Sequence, residues 1–217
     1  MKKIKLAILP ENLEETYDFI EVINCSLQNE IDIKNIEIIR AMYDFENFKK
    51  LEYDTVKFSN CTFNECDFTD NYFYNSLFDN CKFISCDFSD SNFLQCLLAK
   101  SDFKSCVFSD TSFSNTQFIN TNMNYANFNN SKFKLCKFEN TNMKNSFFAQ
   151  CNLKDFYIND VDFESTEFFQ TSLKNIDFTS CNINGISLSN DASEIKGAVV
   201  TTSQAVELAK FLGVIIK

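Results

Sequence analysis

The chain has 217 residues, a net charge of −10, no histidine and no tryptophan, and only three glycines and one proline. That acidity argues against direct binding to nucleic acid or an anionic membrane, and suits a basic partner or a surface that normally holds DNA. No run approaches the ~20 apolar residues of a membrane span, and the length is ordinary for a solenoid whose core grows coil by coil.

Residues 1–30 read as an N-terminal cap. Lys2, Lys3 and Lys5 are followed only by Leu6–Leu9 before Pro10 and Glu11, too short for the apolar stretch of a secretory leader, so a cytoplasmic protein is expected. Lys3–Leu9 alternates and then runs apolar, which predicts a short strand. Glu11–Ile23 has patchy helical spacing through Leu13, Tyr17 and Ile20, and reads as helix or as irregular chain. From residue 31 a count of five begins. Ile33, Ile38, Tyr43, Phe48 and Tyr53 lie on it, with Ile31, Ile36, Ala41 and Leu51 two places before a centre and Glu46 breaking that second column. This is a degenerate first coil, as expected at the open end of a repeat array.

From Phe58 to Leu188 every fifth residue is large and apolar, 27 positions that hold nineteen of the 26 phenylalanines. A period of five belongs to neither helix nor strand and signals a repeat architecture. Two residues before each centre stands a column of small residues: Cys61, Cys66, Ser76, Cys81, Cys86, Ser91, Cys96 and Ser101, then Cys106, Thr111, Thr116, Thr121, Ala126, Ser131 and Cys136. Thr141, Ser146, Cys151, Thr166, Thr171 and Cys181 continue it. Each five therefore has two inward and three outward positions.

This pattern resembles the pentapeptide-repeat family. The resemblance implies an all-β solenoid over residues 31–190: a right-handed quadrilateral parallel β-helix, one five per side and four per coil. With layers ~4.8 Å apart, the stretch from Phe58 would make a rod ~32 Å long. Few glycines are present, so Asn and Asp are expected at the corners. Nine of the ten cysteines lie in the small column and the tenth is Cys25. Stacked neighbours such as Cys61 and Cys81 have parallel side chains, which is poor disulfide geometry, so buried thiols in a reducing compartment are expected.

The outward positions carry what remains. Residues twenty apart share a face, so Asp67, Asp70, Asp87, Asp90 and Asp110 form an acidic stripe, with Phe147 and Phe169 further along the same side. Lys132, Lys134, Lys137 and Lys144 make a modestly basic band opposed by Glu139. From Asp155 to Glu194 the balance reverses. Asp155, Asp160, Asp162, Glu164, Glu167, Asp177, Asp191 and Glu194 face Lys174 alone, eight acids against one lysine or net −7.

Residues 191–217 leave the register and predict a short C-terminal α-helix. Thr201 and Gln204 have capping-box spacing, Ala205, Leu208, Ala209 and Leu212 share a helical face widened by Val206 and Phe211, and Gly213 is a stop. The residues from Ser203 to Lys217, SQAVELAKFLGVIIK, resemble the end of the Qnr- and MfpA-type proteins, which protect DNA gyrase and topoisomerase IV from quinolones. The apolar face of this helix, Ala205, Val206, Leu208, Ala209, Phe211 and Leu212, is expected either simply to cap the last coil or to join two copies, and the resemblance implies the second: a homodimer joined at its C-terminal ends, whose shape and negative charge imitate DNA. The uninterrupted register is similar to the loop-free mycobacterial type. On this reading the topoisomerase contacts are Asp155, Asp160, Asp162, Glu164, Glu167 and Asp177, with the Asp67–Asp110 stripe as an outer arm.

A different reading is an adaptor that binds a protein through Phe147, Phe169, Tyr72 and Tyr74. Acids scattered around all four sides, or a monomeric C-terminal end, would favour it. Without histidine, a Gly-rich phosphate loop or metal-ligand spacing, no enzyme, cofactor or metal is expected.

Overall fold

Burying every fifth side chain makes the backbone turn after every five residues, and the turning residue falls in the left-handed region. In the computed structural model, which describes residues 2–215, positive φ recurs at every fifth residue from Asn35 (53°) to Asn175 (65°). Roughly half of these corners are Asn or Asp, which tolerate the left-handed region, whereas Phe45, Thr55 and Leu135 sit there at a cost of ~1–2 kcal/mol each.

Four fives close one coil, and successive coils pair in parallel twenty residues apart. The first face carries the centres Tyr53, Phe73, Phe93, Phe113, Phe133 and Leu153, each paired to the next. The second runs Phe58, Phe78, Leu98, Phe118, Phe138 and Ile158. The third begins Tyr43, Phe63 and Phe83. On the fourth, bridges tie Asn47, Asp67, Asp87, Val107, Asn127, Phe147, Glu167 and Ser187 into one line. The result is a right-handed four-sided β-solenoid with a short C-terminal helix.

Inside, equivalent rings stack one rung apart: Phe58 on Phe78 at 5.0 Å and 7°, Phe83 on Phe103 at 5.1 Å and 1°. The small column has a second task. Its hydroxyls and thiols donate to the carbonyl twenty-three residues earlier, as Ser91 does to Phe68 (3.0 Å), Cys81 to Phe58 (3.4 Å) and Cys151 to Phe128 (3.0 Å). Asn71, a larger residue in this column, does the same through its amide, donating to the Phe48 carbonyl (2.9 Å) and accepting from the Leu51 N–H (2.7 Å). All ten cysteines are free thiols, and the nine in the column are buried.

The N-terminal end is closed by helix α1 (Phe19–Asn29), capped by Asp18, whose carboxylate accepts from the Glu21 N–H. Its Phe19 is fully buried against Phe48, Phe58 and Phe63. The strand expected over Lys3–Leu9 does not form; a short strand lies instead at Glu14–Thr16, paired to Ile36–Ile38. Residues 2–8 run lengthwise along one corner. The Lys2 N–H donates to the Tyr157 hydroxyl (2.9 Å), the Lys5 N–H to Asn115 (3.2 Å) and the Ile8 N–H to Asn75 (2.7 Å), while Gln95 donates to the Leu6 carbonyl (3.0 Å). The coils it crosses already bond to one another, so no edge is free for a strand and side-chain amides serve instead. Six residues of extended chain span ~20 Å, about the four ~4.8 Å rungs between Asn75 and Asp155.

At the other end, helix α2 (Thr202–Ala209) starts with the expected capping box, Thr201 and Gln204 each bonding the other's backbone. The Gln204 amide also donates to the carbonyls of Phe178 and Cys181, both at 2.8 Å, and so caps the last coil.

Candidate protein-binding surfaces

The fold sorts the outward residues by their place in the count of twenty. The acidic stripe falls on the fourth face: Asp67 and Asp87 lie on the bridged line, and Asp70, Asp90 and Asp110 are exposed at its corner. Glu167 joins the same line further along. From Cys66 to Asn190 the seven fives of this face carry those six acids and no lysine or arginine. Two acids per ~4.8 Å rung at Asp67/Asp70 and Asp87/Asp90 give about one charge per ~2.4 Å, against ~1.7 Å for duplex DNA.

These carboxylates are held in place by their neighbours. Asp67 accepts from the Thr69 N–H (2.9 Å) and hydroxyl (2.6 Å), and Asp87 likewise from Ser89 (2.8 and 2.5 Å). Partial burial pushes the Asp67 carboxyl up, but the Thr69 bonds and nearby Lys49 outweigh it and hold the group below the ordinary carboxylate value. Phe147 and Phe169 share the face, Phe169 being 38% exposed.

The acids of the last coils do not come together. Asp155 stands at the corner of the first and second faces and pairs with Lys2 at 2.8 Å. Asp160 occupies the next corner. Asp162 and Glu164 lie on the third face, where both pair with Lys144 at 3.1 and 2.7 Å. Asp177 is on the second face, bonded by Thr179. Glu194 is not a surface group at all: it is 2% exposed. Net −7 along the chain is thus a sum over all sides of the rod.

The first face is the counterpart of the fourth. Lys132, Lys134, Lys154 and Lys174 project from it, and among the described residues none makes an ion pair. Tyr72 (38% exposed) and Tyr74 (37%) lie earlier on the same face. The polarity of the cross-section is visible only when the outward residues are read every twenty.

At the C-terminal end Leu208 alone of the candidate dimer residues is buried, packed over the last coil. Ala205, Val206, Phe211 and Leu212 are exposed and Ala209 is half-buried. Val214 and Ile215 extend this apolar end, and Ile216 lies outside the described residues.

A sequence model described as "Pentapeptide repeats (8 copies)" matches residues 56–90, 76–115, 86–124 and 96–134. The matched stretch, 56–134, is made of pentapeptide repeats, within a chain that folds as a right-handed parallel β-solenoid. No curated protein matches the sequence. Solved structures similar to this solenoid include full-length QnrB1, a plasmid-mediated fluoroquinolone resistance protein: 16% identity, TM-score 0.39, covering 80% of this chain and 100% of that one. HetL from the cyanobacterium Nostoc, a pentapeptide-repeat protein involved in heterocyst differentiation regulation, has 10% identity and a TM-score of 0.38, covering 85% and 98%. Among the described residues the solenoid has no group of three His, Cys, Asp or Glu arranged to hold a metal ion, and no helix long and apolar enough to cross a membrane.

Proposed function

We propose that the solenoid is a non-catalytic, DNA-imitating protein that binds a type II topoisomerase, DNA gyrase or topoisomerase IV, and protects it from quinolones. The observation that carries the reading is the fourth face, which from Cys66 to Asn190 has six acids and no base of its own, Lys49 of the coil before it reaching Asp67 alone (3.6 Å), joined to a C-terminal tail resembling that of Qnr- and MfpA-type proteins. A basic DNA-binding saddle would be steered towards such a face. The exposed end formed by Val206, Phe211 and Leu212 supports a homodimer through α2, with Leu208 and Gln204 committed to capping instead. Joining two such ends would align two acidic faces into one longer rod.

A second reading, an adaptor for another protein, is favoured by one observation: Asp155, Asp160, Asp162 and Asp177 point to different sides and three of the C-terminal acids are already in ion pairs.

The test is gyrase supercoiling with ciprofloxacin, titrating wild type, an Asp67→Lys/Asp70→Lys/Asp87→Lys/Asp90→Lys variant and an Asp160→Lys/Asp162→Lys/Glu164→Lys variant. Rescue lost in the first variant supports the fourth face; rescue lost only in the second moves the contact to the C-terminal coils. No effect of the wild type on gyrase or on topoisomerase IV sinks the reading and leaves the adaptor. Val206→Glu/Leu212→Glu, examined by sedimentation, checks the dimer: it should sediment as a monomer where wild type does not.

A further inference from the structure

The inter-coil ladder opens at one place. Between 151–160 and 171–180, along the first and second faces, the two coils are tied only at their outer corners. There the Cys151 N–H donates to the Thr171 hydroxyl (2.9 Å) and the Asp160 N–H to the Ser180 hydroxyl (3.3 Å). Elsewhere on these faces the rungs are zipped by bonds such as Asn115 N–H to the Lys134 carbonyl (3.0 Å) and Lys137 N–H to the Thr116 carbonyl (3.1 Å). The corresponding bonds from Leu153, Asp155, Ile158, Ser172 and Asp177 do not form, and the strand Asn152–Asp162 pairs on one side with Lys132–Asn142 while its other edge is free except at Asp162. A slit of ≈ 580 Å³ results, lined by both backbones.

Its cause is legible. Phe156 stands in the small column, packed on Phe133 and Phe138 at 5.4 and 5.0 Å, and Ile176 takes the same place in the next coil. Two large side chains where the repeat needs Ser, Thr or Cys wedge the rungs apart. Correspondingly, Leu153 and Ile158 are the only centres between Phe58 and Leu188 that are not fully buried.

We propose that this slit docks an extended acidic segment of a partner protein, taken up as an added strand. Two facing lips of unpaired N–H and C=O groups call for a ligand that offers both at strand spacing, which an extended peptide does. Its inward side chains would be apolar and would complete the burial of Leu153 and Ile158. Its outward side chains would be acidic along the first face, because Lys154 and Lys174 flank the slit there without an ion-pair partner among the described residues and Asp155 is paired with Lys2, while the charged Asp177 stands on the second face. The slit bends at the Asp155/Asn175 corner, so the segment needs a residue that accepts the left-handed region midway. This docking is independent of the acidic fourth face.

The probe is a fluorescein-labelled peptide, Asp-Val-Glu-Val-Asp-Gly-Val-Thr-Val, titrated by fluorescence anisotropy against the full chain. Saturable binding is expected, weakened at least ~10-fold by Lys154→Glu/Lys174→Glu and by N-methylation of the peptide's alternate amides. Phe156→Thr, restoring a small residue, should zip the coils, slow amide exchange at Leu153, Asp155 and Ile158, and abolish binding. If that variant does not fold, as judged by circular dichroism, the lysine pair and the N-methylated peptide decide. Absence of saturable binding at ~1 mM overturns the proposal, as does binding indifferent to N-methylation. A single-stranded oligonucleotide that displaces the peptide from wild type and itself binds wild type and Phe156→Thr equally would assign the lysines to polyanions in general and overturn it too.

Discussion

Glu194 is where the chain stops being a repeat, and replacing it should loosen the whole C-terminal end. Its Oε1 accepts from the Gln170 N–H (2.8 Å), the Ser189 N–H (3.2 Å) and the Ser189 hydroxyl, while Oε2 has no partner. In a regular coil the Gln170 N–H would find a carbonyl nineteen residues on, as Gln150 does at Phe169 (2.8 Å); the carboxylate replaces that missing rung. Glu194→Ala strands two part-buried N–H groups, at ~1–3 kcal/mol each, so ~2–6 kcal/mol should be lost. Glu194→Gln keeps an acceptor without the charge and should lose ~1–2 kcal/mol. Burial pushes the Glu194 carboxyl up, but the donors from Ser189 and Gln170 outweigh it and leave it below the ordinary value. A carboxyl depressed in the fold stabilises above the unfolded-chain value and ceases to do so as pH falls through the lower folded one. The gap between wild type and Glu194→Gln in urea unfolding should therefore be full at neutral pH and close on acidification below about 4. A Glu194→Gln protein as stable as wild type at neutral pH, or a gap that persists undiminished in acid, refutes this account.

Four further outcomes are expected. Phe108→Ala removes a fully buried ring stacked at 5.1 Å on both Phe88 and Phe128, and should cost ~3–5 kcal/mol in urea unfolding. Phe45→Gly relieves a left-handed corner (φ 60°) whose ring is 74% exposed, and should raise stability by about 1 kcal/mol in the same assay. Burial pushes the Cys96 and Cys136 thiols up to about 12, so a thiol reagent should titrate Cys25 alone in the native protein and all ten cysteines in urea; a second fast thiol would contradict the packing. Deleting residues 2–9 should shift the side-chain amide resonances of Asn75, Gln95 and Asn115 while leaving the coil spectrum intact, and unmoved amides would remove the strap from this corner.

The inward half of the solenoid was readable because its constraint is strict. A five-residue unit has only two inward slots; the central one is large and apolar without a break and the other is mostly Ser, Thr or Cys, so the register of Phe58 to Leu188 and the face of every outward residue follow by counting. The ends were less readable because they obey other rules. Lys3–Leu9 has the alternation of a strand, but alternation reports amphipathicity and not the presence of a free edge, and the coils beside it offer only amide side chains. Helix α1 closes the rod with Phe19, whose importance is a matter of where Asp18 caps the helix. The slit was visible as Phe156 and Ile176 in a column of small residues, two departures that an apolar count alone passes over.

Charge is the property for which a linear reading misleads most on this fold. Forty consecutive residues of a solenoid wrap the rod twice, so eight acids between Asp155 and Glu194 are distributed over its sides, with one buried and three neutralised by lysine. Exposed charges interact strongly only within a Debye length of ~8 Å, and on a rod that range covers the next rung of the same face better than the far side of the same coil. The relevant sum therefore runs over residues twenty apart. Taken that way, the fourth face is acidic from Asp67 to Glu167 and the first is basic from Lys132 to Lys174. A partner approaching this rod meets two adjoining faces of opposite sign, and reversing charges on one should leave binding to the other largely intact. That separability is what allows the topoisomerase assay and the peptide titration to fail independently.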